Sequence, residues 1–386
     1  MTHPLTRFSS VITLSTSRTA DPASAGIDRF VGLEHIEPEN LHIRSWGLVA
    51  DGTTFTSTFK RGQVLFGKRR AYQRKVAVAD FDGVCSSDIY VFESKDPNVL
   101  LPELVPFICQ SEGFYDYAVK TSAGSLSPRT NWTHLANYEF PLPPVDEQRR
   151  IADLLWAADD TIERHKELLE SLSTAYNSLV HQEFSGQYSE EENPTVLSKV
   201  CDVLVGFPFK SKLYQESGVR LLRCSNVGIH GCEWAKEETK YWDESQYEDF
   251  KIFQMQKDDI VIAMDRPFVG DGFKVSKIID DDLPSLLLQR VARLRPSTEL
   301  SVDYLWAFLQ SKVYQNHLQK NQQGTQLPHI SKFDIEGVTI PLRTKDEQKA
   351  LSEQFKSFAT AIDQSKTHLT NLIELKKKLL EKNLTG

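Results

Sequence analysis

One phrase occurs twice in this chain, 200 positions apart: Pro141-Leu142 followed by Asp146-Glu147-Gln148, and Pro341-Leu342 followed by Asp346-Glu347-Gln348. In both copies the acidic tripeptide opens a long amphipathic stretch. Aligning 137–186 with 337–386 without a gap matches Ile162 with Ile362, Leu169 with Leu369 and Leu172 with Leu372. Solenoid repeats run 20–50 residues, so a period this long means two whole domains, each followed by its own helix. Such a chain holds two similar surfaces apart.

The helical stretches show apolar residues at three- and four-residue steps: Ile151, Leu154, Leu155, Ala158, Ile162, Leu169 and Leu172 in the first, Leu351, Phe355, Phe358, Ile362, Leu369 and Leu372 in the second. Asp146 and Asp346 read as N-caps, and Glu147 and Glu347 suit the positive end of a helix dipole. A rod of about 35–38 residues is roughly 55 Å long at 1.5 Å per residue. An apolar stripe that long needs a partner, and the simplest is the other rod in an antiparallel pair. The expected fold is therefore α+β: two similar domains of mixed strands and helices, separated by a pair of long antiparallel coiled-coil helices. The expected boundaries are a domain over 1–145, a helix over 146–185, a linker over 186–193, a second domain over 194–343 and a second helix over 344–386.

Inside the domains the order of elements repeats as well. Gln63-Val64-Leu65-Phe66-Gly67 corresponds to Asp259–Ala263, and Asp88–Phe92 to Gln289–Leu294. Both are β-rich runs. Leu100–Lys120 and Val302–Lys320 have helical spacing. A polar loop follows in each half, Gly124-Ser125-Leu126-Ser127-Pro128-Arg129 and Gly324-Thr325-Gln326-Leu327-Pro328-His329, with glycine and proline kept. A shared frame carrying different residues suits two different reading surfaces.

At 386 residues the chain fits two domains plus connecting helices. No apolar run approaches the 18–20 residues of a membrane helix, and the first residues lack a signal-peptide core, so a cytoplasmic location is expected. The five cysteines form no C-x-x-C pair and are odd in number, which indicates neither a zinc ribbon nor a disulfide framework. Net charge is −8, yet from Phe59 to Ala79 there is no acidic residue among Lys60, Arg61, Lys68, Arg69, Arg70, Arg74 and Lys75. A basic stretch on an acidic chain suggests one side that faces DNA.

Catalytic patterns are weak by comparison. Gly62–Lys68 has the spacing of a phosphate-binding P-loop, but Arg69 replaces the Ser or Thr that holds magnesium, and Val64-Leu65-Phe66 reads as strand. Asp265-Arg266-Pro267-Phe268 resembles the Asp-Pro-Pro-Phe/Tyr loop of amino-methyltransferases, with Arg266 in place of a proline and no glycine-rich cofactor turn to accompany it. It reads as a tight turn at a strand end. No metal-binding histidine pair is present, and no G-x-S-x-G elbow. No catalytic residue and no metal ligand is assigned.

The run Pro141-Leu142-Pro143-Pro144-Val145-Asp146-Glu147-Gln148-Arg149-Arg150-Ile151 before a leucine-rich helix, present twice, resembles the specificity (S) subunit of type I restriction-modification enzymes. Gly206–Ser211 and Asp82–Val91 are similar to segments of the same family. The second copy departs from it, with Arg343-Thr344-Lys345 replacing the proline pair and Ala350-Leu351 standing where Arg150-Ile151 stood. The resemblance implies a subunit without activity of its own, in which each domain reads one half of a split site in double-stranded DNA. It also implies helices that dock two methyltransferase (M) subunits binding S-adenosylmethionine, with restriction (R) subunits that use ATP and magnesium; no membrane is involved. A rod of about 55 Å exceeds one turn of B-DNA, about 34 Å, so two heads could lie on successive major grooves.

On chemistry alone, the candidate DNA-binding residues are Lys60, Arg61, Lys68, Arg69, Arg70, Arg74, Ser125, Ser127, Arg129 and Asn131 in the first half. In the second they are Lys210, Lys212, Arg266, Lys274, Arg290, Thr325, Gln326 and His329. These are donor, acceptor and cationic types that read base edges or grip phosphates. Glu147, Gln148, Leu155, Ile162, Leu169, Leu172, Glu347, Gln348, Phe355, Ile362, Leu369 and Leu372 are assigned to helix pairing and subunit docking. Two other classes stay open: a stand-alone DNA amino-methyltransferase or nuclease, and a structural adaptor that binds protein.

Overall fold

The structure, a computed structural model, describes residues 3–185, 188, 193–229, 231–270, 272–324 and 328–384. Of the expected linker, 186, 187 and 189–192 fall outside the described residues, as do Thr325 and Gln326. The chain divides into two compact units, Met1–Glu167 with Lys366–Gly386, and Leu168–Ser365. Two long helices, Val145–Glu183 and Lys345–Leu384, each contribute to both. Among the described residues no helix is long and apolar enough to cross a membrane.

In the first unit the strand Val64–Gly67, buried at all four positions, lies between Ile89–Ser94 and Val76–Val78, with Ile12–Leu14 on the outer side of Ile89–Ser94. A second sheet pairs Arg29–Val31 in parallel with Gly83–Cys85, flanked by Gly47–Leu48 and Ser57–Phe59. The strands on either side of the turn at 61–62, Ser57–Phe59 and Val64–Gly67, belong to different sheets. The expected helix over 100–120 is broken at Ser111, whose hydroxyl accepts from Phe114 N and restarts the chain as Glu112–Lys120. The aromatic core of Phe8, Phe66, Phe92, Phe107 and Phe114 takes in Ile151 and Leu155 from the start of the first long helix, and Leu380 and Leu384 from the end of the second.

The second unit has the same strand order in its main sheet: Cys201–Val205, Val291–Pro296, Ile260–Ala263, Val275–Lys277. Its other sheet again holds a parallel pair, Val219–Leu222 with Ser285–Leu287. Two differences stand out: the place of Ser57–Phe59 is held by a single antiparallel bridge, Gln254 with Leu286, and a hairpin, Phe268–Val269 with Gly272–Phe273, occupies the place of the Ala71–Gln73 turn. Its core takes Val180 and Phe184 from the end of the first long helix and Phe355 from the start of the second.

Within each unit the helices run antiparallel. In the first, Lys376 bonds Asp159, while His165 faces His368 at 5.1 Å between ring centroids. In the second, Tyr176 meets Phe355 and Phe358, while Arg343 holds Glu183 through two bonds of 2.9 and 3.0 Å. Within each unit the pairing covers part of each stripe, and Leu154, Leu168 and Ile373 remain exposed.

The helices begin one residue earlier than their acidic tripeptides suggested. Val145 and Lys345 are already helical, so Asp146 and Asp346 are second-position residues and not N-caps. In the second copy Thr344 caps: Glu347 N donates to its hydroxyl at 3.4 Å, and Thr344 N donates back to Glu347 Oε2 at 2.9 Å, a capping box.

Candidate nucleic-acid interface

The chain leaves the buried strand Val64–Gly67 as Lys68-Arg69-Arg70 and turns at Arg70, whose φ of 54° is left-handed. The polar loop is fastened beside that exit. Ala123 and Arg129 exchange backbone bonds of 2.9 Å each and close residues 124–128 into a short tip, with Gly124 at φ 109°. Arg70 N donates to Pro128 O at 2.7 Å, and Thr130 N to Lys68 O at 3.0 Å. The basic exit and the polar loop, about 60 residues apart in sequence, become one surface.

Side chains complete it. Asp88, mostly shielded, accepts from Arg129 Nε at 2.9 Å and Arg69 Nη1 at 3.4 Å, while Arg69 Nε donates to Ser127 Oγ at 2.6 Å. Lys68 lies over the Tyr90 ring, 4.6 Å from its centroid. Partial burial, opposed by Asp88 and helped by Arg129, lowers the Lys68 ammonium below its ordinary value. The result is three cations, Lys68, Arg69 and Arg129, around one carboxylate.

The second unit rebuilds this junction bond for bond. Register equates Gly67↔Ile89 with Ala263↔Val291, which puts Asp265 in the place of Arg69, Arg266 in that of Arg70 and Arg290 in that of Asp88. Arg266 N donates to Pro328 O at 2.7 Å and Ile330 N to Met264 O at 2.9 Å, while Gln323 and His329 exchange bonds as Ala123 and Arg129 do. Arg266 is also left-handed, with φ 47°. A non-glycine residue strained at the same point in both units marks a site the surrounding bonds over-determine.

The charges, however, are exchanged. Where Asp88 sits between two arginines, Asp265 Oδ1 receives His329 Nδ1 at 2.8 Å, and Arg290 Nη1 lies 3.3 Å from His329 Nε2 and 3.9 Å from Asp265. One frame thus presents Arg–Asp–Arg in the first unit and Asp–Arg–His in the second. Asp265, expected in a simple turn, is bound to His329, and the hairpin beginning at Phe268 follows it.

Other candidate residues are placed differently. Lys60 and Arg61 are exposed but stand at the opposite end of Val64–Gly67, about 13 Å from the exit at 3.3 Å per residue. Arg74 is taken up by Glu112 at 2.5 Å and Glu39 at 3.0 Å and lies over Tyr115, which makes it part of the packing beneath the surface. Lys274 donates to Cys224 O, as Lys75 does to Leu33 O at 2.6 Å. Lys210 and Lys212 are exposed around the Ser211–Leu213 turn, away from the loop in sequence. Ser125 and Asn131 are exposed on the loop and just after it; Asn131 makes no side-chain cap.

Among the helix residues, Leu155, Ile162, Phe355 and Ile362 are buried, Leu169, Leu172, Leu369 and Leu372 half-buried, and Glu147 and Glu347 exposed. Gln148 and Gln348 are 1% and 0% exposed and cannot form a docking face. Gln148 Nε2 donates to Val99 O and Pro143 O, both at 2.8 Å, and its Oε1 accepts from Leu101 N at 2.9 Å. Gln348 makes the same three bonds, to Glu299 O, Arg343 O and Ser301 N. They lock each domain to the start of its helix.

In the sequence Asp88 and Tyr90 are legible only as part of the β-rich run Asp88–Phe92, and the pairing of Phe268–Val269 with Gly272–Phe273 leaves no signal there. The partners of Asp88 come from two distant segments.

Known proteins resemble this chain along its length. The family described as the type I restriction modification DNA specificity domain matches residues 43–174 and 208–375. The type I restriction enzyme MjaVIII specificity subunit of Methanocaldococcus jannaschii is 26% identical over 396 residues, covering 97% of this chain and 85% of that protein. The EcoAI specificity subunit of Escherichia coli is 33% identical over 153 residues, 39% of this chain and 26% of that one. In fold, the crystal structure of a type I restriction-modification system S subunit from M. genitalium aligns with a TM-score of 0.58 at 15% identity, covering 99% of this chain and 96% of that one. Two matched segments spanning more than half of the chain, on two units of one strand order, decide the matter: the chain belongs to the family of type I restriction-modification DNA specificity domains and carries that domain twice.

Proposed function

We propose that this chain is the sequence-recognition subunit of a type I restriction-modification complex, each unit reading one half of a bipartite site in double-stranded DNA. One observation carries the reading: a single loop-to-strand junction, strained at Arg70 and Arg266 alike, is built twice with different charged residues. A conserved frame with exchanged reading groups is what recognition of two different half-sites requires. In this reading Lys68, Arg69 and Arg129 grip the duplex in the first unit, and Arg266, Arg290 and His329 in the second. The long helices dock two methyltransferase subunits, and restriction subunits join the full assembly. The chain performs no reaction itself and works in the cytoplasm, where its DNA lies. S-adenosylmethionine belongs to the methyltransferase subunits, ATP and magnesium to the restriction subunits.

Methylation mapping of host DNA tests this directly. A split motif that vanishes when the chain is deleted is expected, and exchanging residues 1–145 for those of a relative changes one half of it only. Loss of neither half, or of both, sinks the reading.

The cationic cluster makes a second, quantitative claim. Arg69→Ala with Arg129→Ala, in the assembled complex, weakens DNA binding roughly 10- to 100-fold and lowers the slope of log K against log salt by about two, one per lost phosphate contact. Equal slopes for native and variant complexes would remove these arginines from the interface.

A further inference from the structure

We propose that Leu126 is the residue through which the first unit detects a thymine methyl group in the major groove, an assignment that rests on the DNA-recognition function above. Leu126 is 91% exposed at the tip of the 124–128 loop. A leucine stabilises a fold only when it is buried, so the fold draws nothing from this side chain where it stands. Single exposed apolar residues are common on protein surfaces. This one differs in its setting.

The loop that carries it is fastened at both ends, through the Ala123 and Arg129 exchange and the Arg70-to-Pro128 bond, and its tip is tethered where Arg69 Nε meets Ser127 Oγ. Leu126 is therefore held out beside Arg69 and Arg129, with exposed Ser125 on one side and Ser127 on the other. With the guanidinium groups of Arg69 and Arg129 on the backbone of a duplex, the tip that carries Leu126 would meet the base edges. Among base-edge groups in B-DNA the thymine C5 methyl is the apolar one, and it lies in the major groove; the minor groove presents no methyl. An apolar tip between polar neighbours fits that group and no other base edge. At the corresponding position of the second loop, 200 residues on, the sequence has Gln326, whose amide suits adenine N6 and N7 instead.

The test uses the full chain assembled with its methyltransferase subunits and duplexes carrying the mapped motif. In the half altered by exchanging residues 1–145, each thymine is replaced singly by deoxyuridine, which removes only the methyl. For the native complex one replacement weakens binding about four- to tenfold, the lower figure being the roughly 0.8 kcal/mol of one buried CH₂ group. Leu126→Ala binds the thymine duplex weaker by the same factor and no longer distinguishes uracil there, whereas Leu126→Met retains the preference. The proposal is overturned if that half contains no thymine, if the native complex is indifferent to every replacement, or if Leu126→Ala keeps the preference. Tighter native binding to a mismatched pair, lost in Leu126→Ala, would make the leucine a wedge between bases and also overturn it. Absence of any split motif is a separate result, and strikes the recognition function instead.

Discussion

Gln148→Ala lowers the stability of the first unit by about 3–5 kcal/mol, and Gln348→Ala does the same to the second. The reason is the number of buried and part-buried backbone groups that each buried amide satisfies. With Gln148 gone, Leu101 N, Val99 O and Pro143 O lose their partners at once. A buried polar group left unpaired costs about 1–3 kcal/mol, a part-buried one less, and three together with the lost packing of a buried side chain place this change at the upper end of single-residue effects. Glutamate is no substitute, because a carboxylate has no proton for the two carbonyls. The check is the urea midpoint, with hydrogen exchange of the Leu101 amide to localise the effect. Protection at Leu101 should fall in Gln148→Ala and stay unchanged in Gln348→Ala. A loss below 1 kcal/mol in both variants would show that water replaces the amide and that the clamp is dispensable.

Asp159→Ala is the second large effect, again about 3–5 kcal/mol, because it leaves Lys376 buried without its counter-charge. Asp159 is 4% exposed and Lys376 7%, with the ammonium also 5.6 Å from the centroid of the Phe107 ring. His42, from the strand-rich part of the same unit, bonds the other carboxylate oxygen at 2.7 Å. Burial pushes the Asp159 carboxyl up, but the His42 hydrogen bond and Lys376 outweigh it and hold the group below its usual 3.8. A depressed folded-state value means that this contribution is complete above pH 3.8 and is lost as pH falls through the lower, folded value. Acid titration of native protein against Asp159→Asn should therefore show a native-only loss of stability below about pH 3.8. Asp159→Leu combined with Lys376→Met should recover most of the loss, since a buried pair exchanged for packed apolar groups is close to neutral. If the double variant is as unstable as Asp159→Ala, the pair is not what holds the helices to this unit.

Periodicity was the most legible property of the sequence, and the structure follows it closely. Apolar residues at three- and four-residue steps made both long helices readable, because a 3.6-residue turn leaves its mark on composition with no help from distant residues. The recurrence of strand, helix and Gly-x-x-x-Pro loop was readable for the same local reason. Errors came where a residue's role depends on what faces it. Gln148 looks like a polar surface residue beside Glu147, yet it is buried because Val99, Leu101 and Pro143 converge on it. Asp346 resembles a cap in sequence, but Thr344 and Glu347 form the capping box. The basic run from Lys60 to Lys75 looked like one patch, but a buried strand separates its ends and Glu39 and Glu112 absorb Arg74.

The sequence by itself determined that there would be two related domains and two long helices, because duplication and helical spacing are written in near-neighbour order. Only the tertiary structure decided which charges meet. Asp88 joins Arg69 and Arg129, and Asp265 joins His329 and Arg290, through strand register and loop closure that bring together residues up to 64 positions apart. Electrostatic attraction depends on separation in space, and separation along the chain does not encode it.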